Sequence, residues 1–189
     1  PLAISVDAAS EYYENMGQNW ERAAMIKARP IAGDMVAGKI FLRNLRPYIW
    51  RKHLDFAAIE DIHSIKRQTT AHRGGSEIAI NGHNIKLGRG GIREIELFAQ
   101  TQQLIWGGRN PSLRMPETCS ALTGLATAGH TTHAVASEMI SAYEFLRRVE
   151  HRLQMIDDKQ THSLPKEERE IDQLATFLGY KNGNGFRED

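Results

Sequence analysis

Apolar side chains recur at steps of three and four in part of this chain, the spacing of a single buried helical face. The clearest run lies within 132–157, where Val135, Met139, Ala142, Leu146, Val149, Leu153 and Ile156 alternate steps of four and three. That pattern predicts a long helix with a packing seam, too short in heptads to favour a free coiled coil over an intramolecular bundle. Ser5 or Asp7 caps a helix over 6–16 that Gly17 stops, Asp34 caps one to about residue 45, and Pro47 opens a longer one to about residue 72. Further helices are expected over 117–128, closed by Gly129, and over 166–178 after Pro165.

Three stretches read differently. Residues 23–29 mix apolar and basic side chains before Pro30-Ile-Ala-Gly-Asp34, and a strand is expected there. Arg73-Gly-Gly-Ser-Glu-Ile-Ala-Ile-Asn-Gly-His83 has the look of an exposed β-hairpin or loop. Asn84-Ile-Lys-Leu-Gly-Arg-Gly-Gly-Ile-Arg-Glu-Ile-Glu96 reads as a short strand, a glycine turn carrying a cation, and a helix running on to Trp106 before Gly107-Gly108. The sum is mainly α: a helical bundle domain, 34–189, preceded by the C-terminal remnant of an α/β domain, 1–33.

Composition narrows the partners. With 41% hydrophobic and 25% charged residues the chain is an ordinary globular one, and a net charge of +1 supplies no bulk attraction to nucleic acid or membrane. Any anion site must come from local clustering. Cys119 is the lone cysteine, which excludes an internal disulfide framework and a cysteine-based zinc site. No apolar run approaches the roughly 20 residues of a bilayer span, no signal peptide is seen, and a cytoplasmic protein is expected.

The candidate chemistry is concentrated in 84–96. Free N–H groups at a helix start, with Lys86, Arg89 and Arg93 close in sequence, suit a phosphate. Arg93, Glu96, Gln100 and Gln103 share one helical face beside the apolar Ile92, Ile95 and Ala99, although an ordinary solvated face accounts for the same row. Lys27 and Arg29, two apart on the expected strand, point to one side and suit a polyphosphate or an acidic partner; a charge-guarded edge strand accounts for them equally. Glu144 and Arg148 form an i,i+4 pair that reads as structural. The eight histidines make no metal spacing. No Asp-x-Asp follows Gly75-Ser76 or occurs elsewhere, so no catalytic or metal-binding residue is assigned. A nucleotidyl-transferring core would need such carboxylates upstream of Pro1. The opening Pro1-Leu-Ala-Ile-Ser5 and the closing glycine-rich stretch both read as cuts within a longer protein.

These blocks resemble one family, the bifunctional glutamine synthetase adenylyltransferase/adenylyl-removing enzymes, whose helical domain is shared with the PII uridylyltransferases. The matching stretches are Gly17-Gln-Asn-Trp-Glu-Arg-Ala-Ala-Met-Ile-Lys-Ala-Arg-Pro-Ile-Ala-Gly-Asp34, Trp50-Arg-Lys-His-Leu-Asp-Phe-Ala-Ala-Ile-Glu-Asp61, 84–96, Gln103-Leu-Ile-Trp-Gly-Gly-Arg109, Phe145-Leu-Arg-Arg-Val-Glu-His-Arg-Leu-Gln154 and Gln160-Thr-His162. The wording is closer to the amino-terminal, adenylyl-removing half, since the other half more often has Asp where this chain has Glu94. Leu97 and Met115-Pro116 depart slightly from the family pattern.

The resemblance implies that residues 1–33 close a nucleotidyltransferase fold. It also implies Mg2+ held upstream of the chain, and glutamine synthetase, the PII signal protein, ATP or ADP and inorganic phosphate as partners, with neither nucleic acid nor membrane among them. Lys27, Arg29, Lys86, Arg89 and Arg93 are then candidate phosphate or partner contacts, with Glu96 orienting the arginines; no family catalytic residue carries over onto them by motif. The alternative is a non-catalytic docking module, with 84–96 as a structural joint.

Overall fold

Ser5 opens the first helix as a capping residue: its hydroxyl accepts the Ala8 N–H at 3.2 Å, and α1 runs Val6–Asn15. The structure, a computed structural model, describes residues 3–52, 80–156, 158 and 160–188. Among them follow α2 Asn19–Met25, α3 Met35–Asn44, α4 Arg46–Ile49, α5 Ile92–Trp106, α6 Thr118–Thr127, α7 His133–Met155, α8 Glu168–Phe177 and α9 Gly183–Glu188. A 3-10 turn, Pro111–Leu113, precedes α6. The described residues are thus mainly α, as the pattern predicts. They divide into two compact units, Pro1–Arg67 with Phe98–Ala136 and Gln68–Leu97 with Ser137–Asp189.

In the first unit the strand expected over 23–29 is absent. α2 takes its first three residues, and a turn at Ile26 and Lys27 takes the next two. The Gln18 N–H donates to Glu21 at 2.8 Å in a capping box, and Ala23 and Ile26, three apart, join Leu45 and Tyr48 in one core. Helical capping and a helical apolar step outweigh the strand-like composition, and Pro30 then biases Arg29 away from helix. The helix begun near Pro47 is also shorter than expected. α4 ends at Ile49, and Trp50 leaves helical geometry at φ −109° and ψ 71°. The rest of the expected 47–72 helix, and most of the 73–83 hairpin, lie outside the described residues.

Arg22, wholly buried, holds the end of α4. Its Nε donates to the Tyr48 carbonyl at 3.1 Å, Nη2 to the Ile49 carbonyl at 3.1 Å and Nη1 to Asn19 Oδ1 at 2.9 Å. Both carbonyls lie at the end of a four-residue helix, where intrahelical donors run out, and the guanidinium supplies donors there.

The Tyr48 hydroxyl donates to the Gln18 carbonyl at 2.7 Å, and burial, reinforced by Glu21, pushes its phenol up to about 12. The folded state then keeps a proton that the unfolded chain loses near pH 10. This contribution to stability is complete below that pH and is lost as pH rises towards 12. Tyr48→Phe is expected to flatten the alkaline limb of urea unfolding midpoint against pH; an unaltered limb would assign the proton to another group.

The core of the second unit sets Val149 and Leu153 of α7 against Ile171, Leu174 and Ala175 of α8, with Ile85, Leu164 and Phe186. The seam read along 132–157 is buried only in its later part, and Val135 and Ile156 are exposed. Length explains this: α8 has 10 residues to the 23 of α7, about 15 Å against about 35 Å. An extended segment also pairs antiparallel with the stretch before α8. Asn84 and Ser163 form a bridge, the Ile85 N–H donates to the His162 carbonyl at 2.9 Å, and the Leu164 N–H donates to the His83 carbonyl at 2.8 Å. It is the one β contact among the described residues, and it fixes Lys86 beside His162.

Candidate phosphate and partner site

The turn that leads into α5 builds itself from its own polar groups. Asn84 Oδ1 accepts the Lys86 N–H at 3.1 Å and the Leu87 N–H at 2.8 Å, an Asx turn. Gly90 has φ +72°, and a Cβ on Gly91 would stand 2.6 Å from the Ile85 carbonyl oxygen. Only glycine meets both demands. The Gly90 N–H then donates to Glu94 Oε2 at 2.9 Å, the Ile92 N–H to the Ile85 carbonyl at 2.9 Å and the Arg93 N–H to the Lys86 carbonyl at 2.9 Å.

This changes the chemistry expected of 84–96. The N–H groups that the sequence offers to a phosphate are taken internally, which leaves side chains to do any binding there. Arg89 is exposed, and Arg93, also exposed, approaches Glu96 at 3.5 Å. Glu96 is largely buried and accepts the Tyr143 hydroxyl at 3.3 Å as well. Lys86 turns the other way. Lys27 and Arg29 belong to the first unit and the other candidates to the second. Lys27 Nζ donates to Thr118 Oγ1 at 3.0 Å, and Arg29 is exposed.

The polar row on α5 is not a solvated face throughout. Gln100 and Gln103 are buried, and Gln103 Nε2 donates to the Leu113 carbonyl at 2.7 Å and the Met115 carbonyl at 2.6 Å. The i,i+4 pair expected of Glu144 and Arg148 is replaced by other partners: Arg148 lies over the Phe145 ring at 5.8 Å, and Arg147 pairs with Glu150.

Glu150 is the residue that sequence reasoning missed. It is 2% exposed, and three basic side chains surround it. Lys86 Nζ lies 3.5 Å from Oε1, His162 Nδ1 lies 3.2 Å from the same oxygen, and Arg147 contacts Oε2. The His162 approach lacks hydrogen-bond alignment, so it is a close polar contact only. A signal was present in the sequence. Leu146, Glu150 and Leu153 are spaced four and three, which puts a carboxylate on the apolar face, where a polar residue is the informative one.

Among the described residues no group of three or more His, Cys, Asp or Glu side chains could hold a metal ion. The Mg2+ that the resemblance implies therefore finds no fitting ligand set in them. Among the same residues no helix is long and apolar enough to cross a membrane.

The described residues are thus helices around a glycine turn, with cations gathered on one buried carboxylate. The family model described as GlnD PII-uridylyltransferase matches residues 62–188, and the chain belongs to that family. A second model, glutamate-ammonia ligase adenylyltransferase, matches residues 1–44. Bifunctional glutamine synthetase adenylyltransferase/adenylyl-removing enzymes are similar along the whole chain. The protein of that name from Rhizobium meliloti is 61% identical over 98% of this chain, that from Agrobacterium fabrum 59% over 100%, and that from Mesorhizobium japonicum 58% over 100%. The chain spans 19% of the length of each of these curated relatives.

Proposed function

We propose that this chain is part of a nucleotidyltransferase that regulates glutamine synthetase, and with it nitrogen assimilation, by removing AMP from a tyrosine and attaching it from ATP. The observation that carries the reading is similarity to the bifunctional enzymes along the entire chain rather than at one motif. In the removing direction an oxygen of inorganic phosphate attacks the AMP phosphorus in line. The tyrosyl oxygen leaves and takes up a proton, giving ADP and free tyrosine.

Residues 1–33 would close the catalytic α/β domain, with 34–189 as its helical partner. Ile4, Val6, Met16, Trp20 and Ile31 are exposed apolar residues in that first stretch, as a surface made to be covered would require. The carboxylates that bind Mg2+ would lie outside this chain. Glu94 supports placing the chain in the adenylyl-removing half, and PII would be the regulatory partner in the cytoplasm. Arg89 and Arg93, with Lys27 and Arg29, remain the candidate contacts for phosphate groups or for partner surfaces, and Glu96 orients Arg93.

The full-length protein, given adenylylated glutamine synthetase, inorganic phosphate and Mg2+, is expected to release ADP. No ADP under those conditions, with no AMP incorporated from ATP, rejects the reading. Arg89→Ala should slow ADP release at least about tenfold, roughly 1.4 kcal/mol in the barrier. An unchanged rate at unchanged stability removes Arg89 from the site. The internal hydrogen bonding of 84–91 favours a second reading, a docking module with this turn as its joint. Charge reversals at Arg89 and Arg93 that abolish PII or glutamine synthetase binding, yet spare phosphorolysis of a small AMP–tyrosine ester, would select it.

A further inference from the structure

Three blocks far apart in sequence meet at the carboxylate of Glu150: the turn with Lys86, helix α7 with Arg147, and the extended stretch with His162. A stability role explains this poorly. Burying a carboxylate costs several kcal/mol before any pairing, and an apolar side chain of similar size beside Val149 and Leu153 would avoid that cost. One cation would neutralise the carboxylate. Here Lys86 and Arg147 both contact it, which leaves one positive charge in excess before His162 is counted.

The two cations reach outward as well. Each side chain is 38% exposed. Lys86 Nζ lies 3.5 Å from Glu150 Oε1, without a hydrogen bond to that oxygen, and 3.5 Å from His162 Nε2. Arg147 uses only Nη1 on Glu150, so its Nε and Nη2 donors have no partner among the described residues. Lys86 and Arg147 approach separate oxygens of one carboxylate, so both partly exposed cations flank the same buried group. In addition, Glu150 Oε1 and His162 Nδ1 are buried without an aligned hydrogen bond, which is uncommon where a polar cluster serves packing alone.

We propose that Lys86 and Arg147, held by Glu150 and oriented by His162, form a binding site for a phosphoryl group. Glu150 is a positioning residue: it fixes the spacing of the cations and does not touch the ligand. The identity of the ligand rests on the nucleotidyl-transfer reading above. Inorganic phosphate and the phosphoryl group of a nucleotide share the required chemistry.

Calorimetric titration of the full-length protein with inorganic phosphate, and separately with AMP, tests this. Lys86→Met and Arg147→Met are each expected to weaken binding about tenfold or more, the loss of one charge-assisted hydrogen bond. Arg147→Lys should retain most of the affinity, and Glu150→Gln should lose it with both cations still in place. A loss confined to phosphate makes inorganic phosphate the occupant, and a loss confined to AMP makes it the nucleotide; either supports the site. Unaltered affinity for both ligands in folded Lys86→Met and Arg147→Met overturns it, and these two partly exposed positions decide the matter if Glu150→Gln fails to fold. The readout is independent of turnover. Phosphate binding that obeys these variants in a protein that never releases ADP rejects the proposed function and keeps the site, whereas ADP release with unaltered affinities does the reverse.

Discussion

Arg22→Met is expected to lower the unfolding free energy by about 2 to 4 kcal/mol, the largest single effect anticipated in this chain. Methionine keeps the apolar stem and most of the volume of the side chain, so little packing is lost. What goes is the set of donors to the Tyr48 and Ile49 carbonyls and to Asn19. An unsatisfied buried acceptor costs about 1 to 3 kcal/mol, and relief of the buried guanidinium's own desolvation offsets part of the sum. The site lies in the Tyr48, Ile49 and Leu45 core, with water excluded from the guanidinium. Arg22→Lys separates charge from geometry. A lysine keeps the cation but cannot reach two successive carbonyls and Asn19 from one planar group, so it should recover less than half of the loss. Urea unfolding of the three proteins measures this directly. A loss below about 0.5 kcal/mol for Arg22→Met would mean that water or a shifted backbone satisfies those carbonyls in its place.

How much of this was legible in the sequence follows from how local each determinant is. Ser5 and Asp34 announce α1 and α3 because a capping hydroxyl or carboxylate acts on N–H groups two or three residues away; Asp34 accepts those of Val36 and Ala37 at 2.9 Å. α6, α7 and α8 begin and end within two residues of the expected places, since Gly129 and Pro165 punctuate them locally. The expected strand over 23–29 failed for a local reason too: the Gln18–Glu21 capping box was present in the sequence and was outweighed by composition. Burial was not legible. Nothing near Gln103 says that its amide meets the carbonyls of residues ten and twelve further on, and nothing near Lys86 says that its ammonium meets Glu150. The residue types that made Lys86 and Arg93 candidates were visible, but the partner that separates an inward lysine from an outward arginine was not.

Gln103→Leu should be the second large effect, at about 2 to 3 kcal/mol, because it strands two carbonyls at once. The Gln103 amide donates both its hydrogens, to Leu113 at 2.7 Å and Met115 at 2.6 Å, and so ties the end of α5 to the loop that leads into α6. Among the described residues no backbone donor reaches those two carbonyls. The 3-10 turn uses its own N–H groups on Asn110 and Pro111, with the Ser112 N–H donating to Asn110 Oδ1 at 3.1 Å. Gln100 offers a matched control three residues earlier on the same helix. It is also buried, yet it makes no hydrogen bond among the described residues, so Gln100→Leu exchanges the same atoms without stranding an acceptor. That change should fall within about 0.5 kcal/mol of the parent. The difference between the two variants in urea unfolding therefore isolates the paired hydrogen bonds from the change in side-chain hydrophobicity. Amide exchange adds a second reading: faster exchange over 107–116 in Gln103→Leu alone is expected, because that segment loses its tether to α5. Equal costs for the two leucine substitutions would show that burying a glutamine at all, rather than stapling this loop, is what either position contributes.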